Sequence, residues 1–200
     1  MSQSLYNQHN DQHDSLRIHY THPHASHLLY QQLSNWLPKA PRDYVIACIG
    51  TDRSTGDALG PFVGTYLHEI NLKQITVYGT LQEPIHATNL WDAINHINQS
   101  HQRPFIIAVD ASLGQKTSIG QLVAKKGALK PGAALNKMLP PIGDLYIAGI
   151  VNVSGFMEYA VLQNTRLAVV VEMAKTVAKA LEKLDHQLTC AQSSYPHQYK

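Results

Sequence analysis

The sequence predicts an α/β protein, a three-layer α/β/α sandwich around a mostly parallel, five-stranded twisted sheet with one strand suited to an antiparallel edge. Three observations predict it. Tyr44 to Ile49, Phe105 to Val109 and Leu145 to Val151 are continuous apolar runs of strand length, the pattern of strands buried on both faces. Amphipathic helical segments separate such runs. No hairpin signal joins them, so the connections cross over a parallel sheet and cover both its faces with helices.

Taken in order, residues 1–24 carry His9, His13, His19, His22 and His24 among Gln, Asn and Ser, with too few apolar groups to offset the entropy of ordering. They read as a disordered histidine-rich tail whose metal binding is adventitious. A single α/β domain is expected over residues 25–185, and a flexible polar tail over 186–200. Leu29, Leu33, Trp36 and Leu37 recur at helical spacing before Pro38. After the strand at Tyr44 and a polar loop, Ala58 to Ile70 is helical, with Leu59, Val63, Leu67 and Ile70 on one side. Ile75 to Tyr78 is the second strand, and Thr88 is the expected cap of a helix bearing Leu90, Trp91, Ile94 and Ile97. Pro104 opens the third strand, Phe105 to Val109. Gln121 to Lys125 is half polar, as an edge strand reads, and Leu129 to Pro141 is a long loop marked by Lys130-Pro131-Gly132 and Pro140-Pro141. Leu145 to Val151 is the last strand. A helix after Ser154 and a long one from Thr165 to Leu184 follow.

The composition narrows the function. Of 200 residues, 44% are hydrophobic, enough for one sizeable core. A net charge of +2, without segregation, argues against a nucleic-acid or anionic-membrane partner. The two cysteines form no CxxC pair, and no apolar run approaches the roughly 18 residues of a membrane span. A cytoplasmic protein is expected.

In parallel sheets, ligands bind beyond the carboxyl ends of the strands. Two segments lie there. Gly50-Thr51-Asp52-Arg53-Ser54-Thr55-Gly56-Asp57-Ala58-Leu59-Gly60-Pro61 is a polar loop without the lysine of a P-loop or the GxGxxG spacing. Taken alone, Asp57 reads as a helix cap worth about 1 kcal/mol. Asp110 ends the apolar run Phe105-Ile106-Ile107-Ala108-Val109, so it must be exposed, hydrogen-bonded or protonated. If the first and third strands are neighbours, Asp57 and Asp110 converge. One then holds its proton while the other remains a base able to activate water against an amide. The same pair can instead hold a divalent metal, and spacing does not separate the two.

Thr55-Gly56-Asp57-Ala58-Leu59-Gly60-Pro61, Val109-Asp110-Ala111 and Lys130-Pro131-Gly132-Ala133-Ala134-Leu135-Asn136-Lys137 occur in the same order in the germination protease family, which the chain resembles. The run from Cys48 to Arg166, including Tyr78-Gly79-Thr80-Leu81 and Gly149-Ile150-Val151-Asn152-Val153-Ser154-Gly155-Phe156-Met157-Glu158, is similar to the YyaC family of sporulation proteins. The resemblance implies a fold related to hydrogenase maturation proteases, essential aspartates at Asp57 and Asp110, and a forespore or spore-core location. Germination proteases degrade small acid-soluble spore proteins. In maturation proteases, the acidic pair and a histidine bind nickel. Here Ser154-Gly155-Phe156-Met157 carries no histidine, and His86 is a substitute ligand only if its loop folds over the sheet.

Other polar residues complete the expected site. Asp52, Arg53 and Glu83 lie in loops on the same face, where Arg53 can pair with an aspartate or grip a substrate carboxylate. Loop hydrogen bonding explains them equally well. Asn136 and Lys137 can anchor a peptide backbone or supply an oxyanion contact, or simply form a surface turn. Asn152 and Ser154 read as helix caps, Cys48 as an inert buried thiol, and no GxSxG elbow supports a serine nucleophile. Two functions follow: an aspartate-dependent peptidase, metal-assisted or not, acting on a protein or peptide such as a spore protein; or a non-catalytic sporulation protein whose cleft binds a peptide, metabolite or partner.

Overall fold

A computed structural model of the chain describes residues 14–40, 42–132 and 139–193. Strands β1 (Ser15–His19), β2 (Tyr44–Cys48), β3 (Ile75–Tyr78), β4 (Phe105–Gly114), β5 (Gln121–Lys126) and β6 (Leu145–Val153) form one sheet in the order β1-β5-β6-β4-β2-β3. The pairs β3/β2, β2/β4 and β4/β6 are parallel, whereas β6/β5 and β5/β1 are antiparallel. The helices are α1 (Ala25–Trp36), α2 (Leu59–Ile70), α3 (Leu90–Ser100), α4 (Glu158–Gln163) and α5 (Leu167–Ser193), with short 3-10 turns at Gly56–Ala58 and Lys116–Ser118.

Strand alternation sorts the apolar runs into two cores. Ile46, Cys48, Ile107, Val109, Leu145 and Ile147 point to one face, against Leu29 and Leu33 of α1, Leu59, Val63 and Leu67 of α2, and Met173, Val177 and Leu181 of α5. Each fully buried leucine there contributes about 1.5–3 kcal/mol. Val45, Ala47, Ile106 and Ala108 point to the other face, against Leu90 and Ile97 of α3. These are the three layers expected. One helix covers the second face, and the outward residues of β5 and β1, Val123 and Arg17, line a cleft instead.

Three expectations are corrected. The sheet has six strands, because the segment read as part of a disordered tail supplies β1: Leu16 and Ile18 enter the core and the backbone pairs with Gln121–Lys125. Compositional reasoning missed it because a five-residue edge strand needs only two inward apolar side chains and a waiting partner. Consequently β5 is not the edge, although it is antiparallel. At the other terminus the helix runs to Ser193, past the expected limit at residue 185, with Leu184 buried and Leu188 packed on the core one turn later. Residues 1–13 of the first expected tail and 194–200 of the second lie outside the described residues.

Local signals behave more simply. Helix α1 stops as Leu37 turns extended before Pro38, and α2 ends on Asn71 in the left-handed conformation. The cap position of α3 is Asn89 rather than Thr88. Its side chain accepts from the His86 N–H at 2.7 Å and donates to the Pro84 carbonyl at 3.0 Å, which ties down the loop before the helix. Asn152 is not a cap: its amide donates to the Val161 carbonyl and to Thr165 Oγ1, both at 3.2 Å, clipping α4 against β6. Ser154 Oγ donates to the Gly114 carbonyl at 3.3 Å, and the residue before α4 is Met157, in the left-handed region. Among the described residues, no helix is long and apolar enough to cross a membrane.

Candidate active site

The parallel strands place the site. From β2 the chain passes through α2 on one face to β3. It then returns through α3 on the other face to β4, so the strand order reverses at the adjacent carboxyl ends of β2 and β4. A cleft of about 910 Å³ opens there, lined by Asp57, Asp110, Arg53, His86, Arg17 and Lys130 among others. The β2/β4 adjacency on which the meeting of Asp57 and Asp110 depended is present, with Tyr44 opposite Phe105 and Cys48 opposite Val109.

The loop carrying Asp57 is folded by its own backbone. Thr51 N–H donates to the Asp57 carbonyl at 3.1 Å, and Asp57 N–H to the Ser54 carbonyl at 3.0 Å. Asp57 is therefore carried on a closed turn and lines the cleft. Gly50 makes this closure possible. Its φ is +144°, and a Cβ there would collide with the Asp57 carbonyl oxygen. Gly50→Ala is expected to cost about 1–3 kcal/mol and to displace Asp57. A thermal melt and the cleavage assay described below measure both effects.

Asp110 sits near the end of the buried part of β4 and is only 8% exposed. Its Oδ1 accepts the Ala111 N–H at 2.8 Å. Burial pushes its carboxyl well above the ordinary carboxylate range, the negative charge of Asp57 pushes it further, and the Ala111 bond opposes both. Asp110 thus binds its proton more tightly than an ordinary carboxyl does, beside a second carboxyl group.

The other expected residues divide. Arg53 and His86 line the cleft; His86 Nδ1 is bonded to Thr88 Oγ1 at 2.9 Å. Its loop is drawn onto the sheet by the Gly50 N–H, which donates to the Ile85 carbonyl at 2.8 Å. Asp52 and Glu83 are exposed and do not line the cleft. Asp52 accepts a long bond from Thr51 Oγ1 at 3.4 Å, and Glu83 closes a turn with Thr80. Asn136 and Lys137 lie outside the described residues. Cys48 is fully buried, which pushes its thiol far up, as expected of an inert cysteine.

Sequence reasoning missed Arg17, Lys130 and Tyr159. Arg17 was hidden in the supposed tail, although the alternation Leu16-Arg17-Ile18 is the strand signal that exposes it. Lys130 follows Leu129, which bonds both ways with Ile142 at 2.9 and 3.0 Å and so closes the long loop beside the cleft. No ion pair engages Arg17, Arg53 or Lys130 among the described residues. Nor do three His, Cys, Asp or Glu side chains converge there as metal ligands. Among the described residues the donor set therefore does not fit the three-ligand nickel site of the expected relatives.

The [NiFe] hydrogenase maturation protease HycI from Thermococcus kodakarensis KOD1 has a similar structure, with a TM-score of 0.53 over 77% of this chain and 98% of that one. At 17% identity the likeness is one of fold. In sequence, the uncharacterized protein YyaC of Bacillus subtilis (strain 168) is 52% identical over 169 residues, 84% of this chain and 82% of its own length. A family model described as "Protein of unknown function (DUF1256)" matches residues 17–180. The chain belongs to the DUF1256 family.

Proposed function

We propose that the protein is a peptidase in which Asp57 and Asp110 share one proton. The observation that carries this reading is Asp110, buried, its carboxyl raised well above the ordinary range and adjacent to Asp57 at the reversal point of the sheet. Asp57 takes a proton from water, and the water oxygen bonds to the peptide carbonyl carbon. Asp110 hydrogen-bonds the carbonyl oxygen, then gives its proton to the leaving nitrogen as the C–N bond breaks. The pair begins and ends with one proton. Arg17, Arg53 and Lys130 supply positive charge around the substrate. The motifs shared with the germination protease family support a spore protein as substrate, within the forespore or spore core.

The test uses a random-sequence octapeptide mixture, read by mass spectrometry. The wild type is expected to cleave it, and Asp57→Asn to do so about a thousandfold more slowly. Cleavage by Asp57→Asn at the wild-type rate would sink the reading. One observation favours a binding function instead: Phe156, Met157, Tyr159 and Leu167 are 94%, 66%, 60% and 52% exposed, and Tyr159 also lines the cleft. An apolar lip of this kind suits docking. Retention of the mixture by wild type and Asp57→Asn alike, with no product from either, is the outcome that selects it.

A further inference from the structure

Strand β4 outruns its neighbour. β2 pairs with it only as far as Cys48 opposite Val109, and the last bond on that side is from Ile49 N–H to the Val109 carbonyl at 2.7 Å. There the chain turns away, and the Gly50 N–H goes to Ile85. β4 continues from Asp110 to Gly114 paired with β6 alone. The side that β2 leaves is an open strand edge, and all five of these residues line the cleft.

Main-chain alternation decides which groups face that edge. Phe105 N–H bonds to the Asp43 carbonyl and the Val109 carbonyl accepts from Ile49, so the odd-numbered residues turn toward β2. Ile106 exchanges bonds with Asp144, and the Gly114 carbonyl accepts from Ser154, so the even-numbered residues turn toward β6. Ala111 and Leu113 therefore face the open edge. The Ala111 N–H is taken by Asp110 Oδ1 at 2.8 Å and the Leu113 carbonyl by Ser112 Oγ at 3.2 Å. The Ala111 carbonyl and the Leu113 N–H face the side on which the pairing with β2 has already ended at Val109, and no turn, loop or side-chain bond engages them among the described residues. An acceptor followed two residues later by a donor is the pattern that one residue of a parallel strand satisfies with its own N–H and C=O.

We propose that Ala111 and Leu113 are a main-chain dock for an extended polypeptide, which takes the place β2 vacates and lays a peptide bond beside the Asp110 carboxyl. Asp110 is held on that same edge through the Ala111 N–H. The choice of ligand rests on the peptidase reading and narrows it: the substrate is a segment with an unpaired backbone, recognised by its main chain. A strand already paired in a folded protein cannot enter.

The experiment has two arms. A peptide that the wild type cleaves from the octapeptide mixture is resynthesised with one N-methyl group at each position in turn. Methylation of the residue facing Ala111 is expected to lower kcat/KM at least about tenfold, and tolerance at every position overturns the dock. In the second arm, 15N-labelled Asp57→Asn protein is titrated with the same mixture. The Leu113 amide is expected to shift downfield and to gain protection from exchange; an unmoved amide overturns the dock. A moved amide without any wild-type cleavage upholds the dock and removes the peptidase. Cleavage with a still amide does the reverse.

Discussion

Asp110→Asn is expected to abolish cleavage and, at neutral pH, to raise the melting temperature. The two effects share one cause. Because burial and Asp57 lift the carboxyl above its ordinary value of 3.8, the folded state binds the Asp110 proton more tightly than the unfolded chain does. The stability that this group contributes is fully present below pH 3.8 and is lost as pH rises from there through the elevated folded value. Asparagine has no proton to lose, and its Oδ1 can still accept the Ala111 N–H. The variant should therefore be the more stable form at pH 7, by about 2–4 °C for each kcal/mol of ionisation cost removed, with the gap closing toward pH 3. Melts of both proteins across pH 3 to 8 check this. A variant less stable than wild type at pH 7 contradicts the desolvated Asp110 carboxyl with its raised proton affinity. Activity should move the other way: wild-type cleavage falls as pH passes the folded value of Asp110, and the variant has none to lose.

Asp185→Ala is expected to cost about 3–5 kcal/mol of stability while leaving the cleft chemistry untouched in the molecules that remain folded. Asp185 lies on α5, is 4% exposed, and accepts the backbone N–H groups of Lys73 at 2.9 Å, Gln74 at 2.7 Å and Ile75 at 3.0 Å. Alanine strands three donors at the start of β3, under the long helix, one of them in a buried bond and two in part-buried ones. Asp185→Asn keeps one acceptor oxygen and should lose clearly less. Urea unfolding of the three proteins measures the order, and equal stability of wild type and Asp185→Ala would show that the contact carries no weight.

Asp185 also shows where sequence reading stops. The polar residues after it read as the start of a tail, yet Asp185 is the point at which α5 is fastened to β3, over one hundred residues back in the chain. Polar composition marks a segment as unable to bury itself, but not as unable to satisfy partners that other elements leave exposed. The same reasoning missed β1. Leu16 and Ile18 are too few for a strand by count, and sufficient once β5 offers a ladder and the core an open place.

The two aspartates of the proposed site were legible for a local reason. Asp110 was readable because a carboxyl group ending an apolar run demands an explanation, and Asp57 because a glycine-rich polar loop follows a buried strand. Apolar periodicity and turn chemistry act over a few residues, so the sequence by itself determined the α/β class and the principal helices and strands, and singled out the two aspartates as candidates. Only the tertiary structure decided that the aspartates meet, that β1 brings Arg17 to the cleft, that Asp52 and Glu83 stay outside it, and that β4 outruns β2 to leave the edge at Ala111 and Leu113. Each of these depends on strand order, register and relative strand length, properties of pairs of segments far apart in the chain that no single segment encodes.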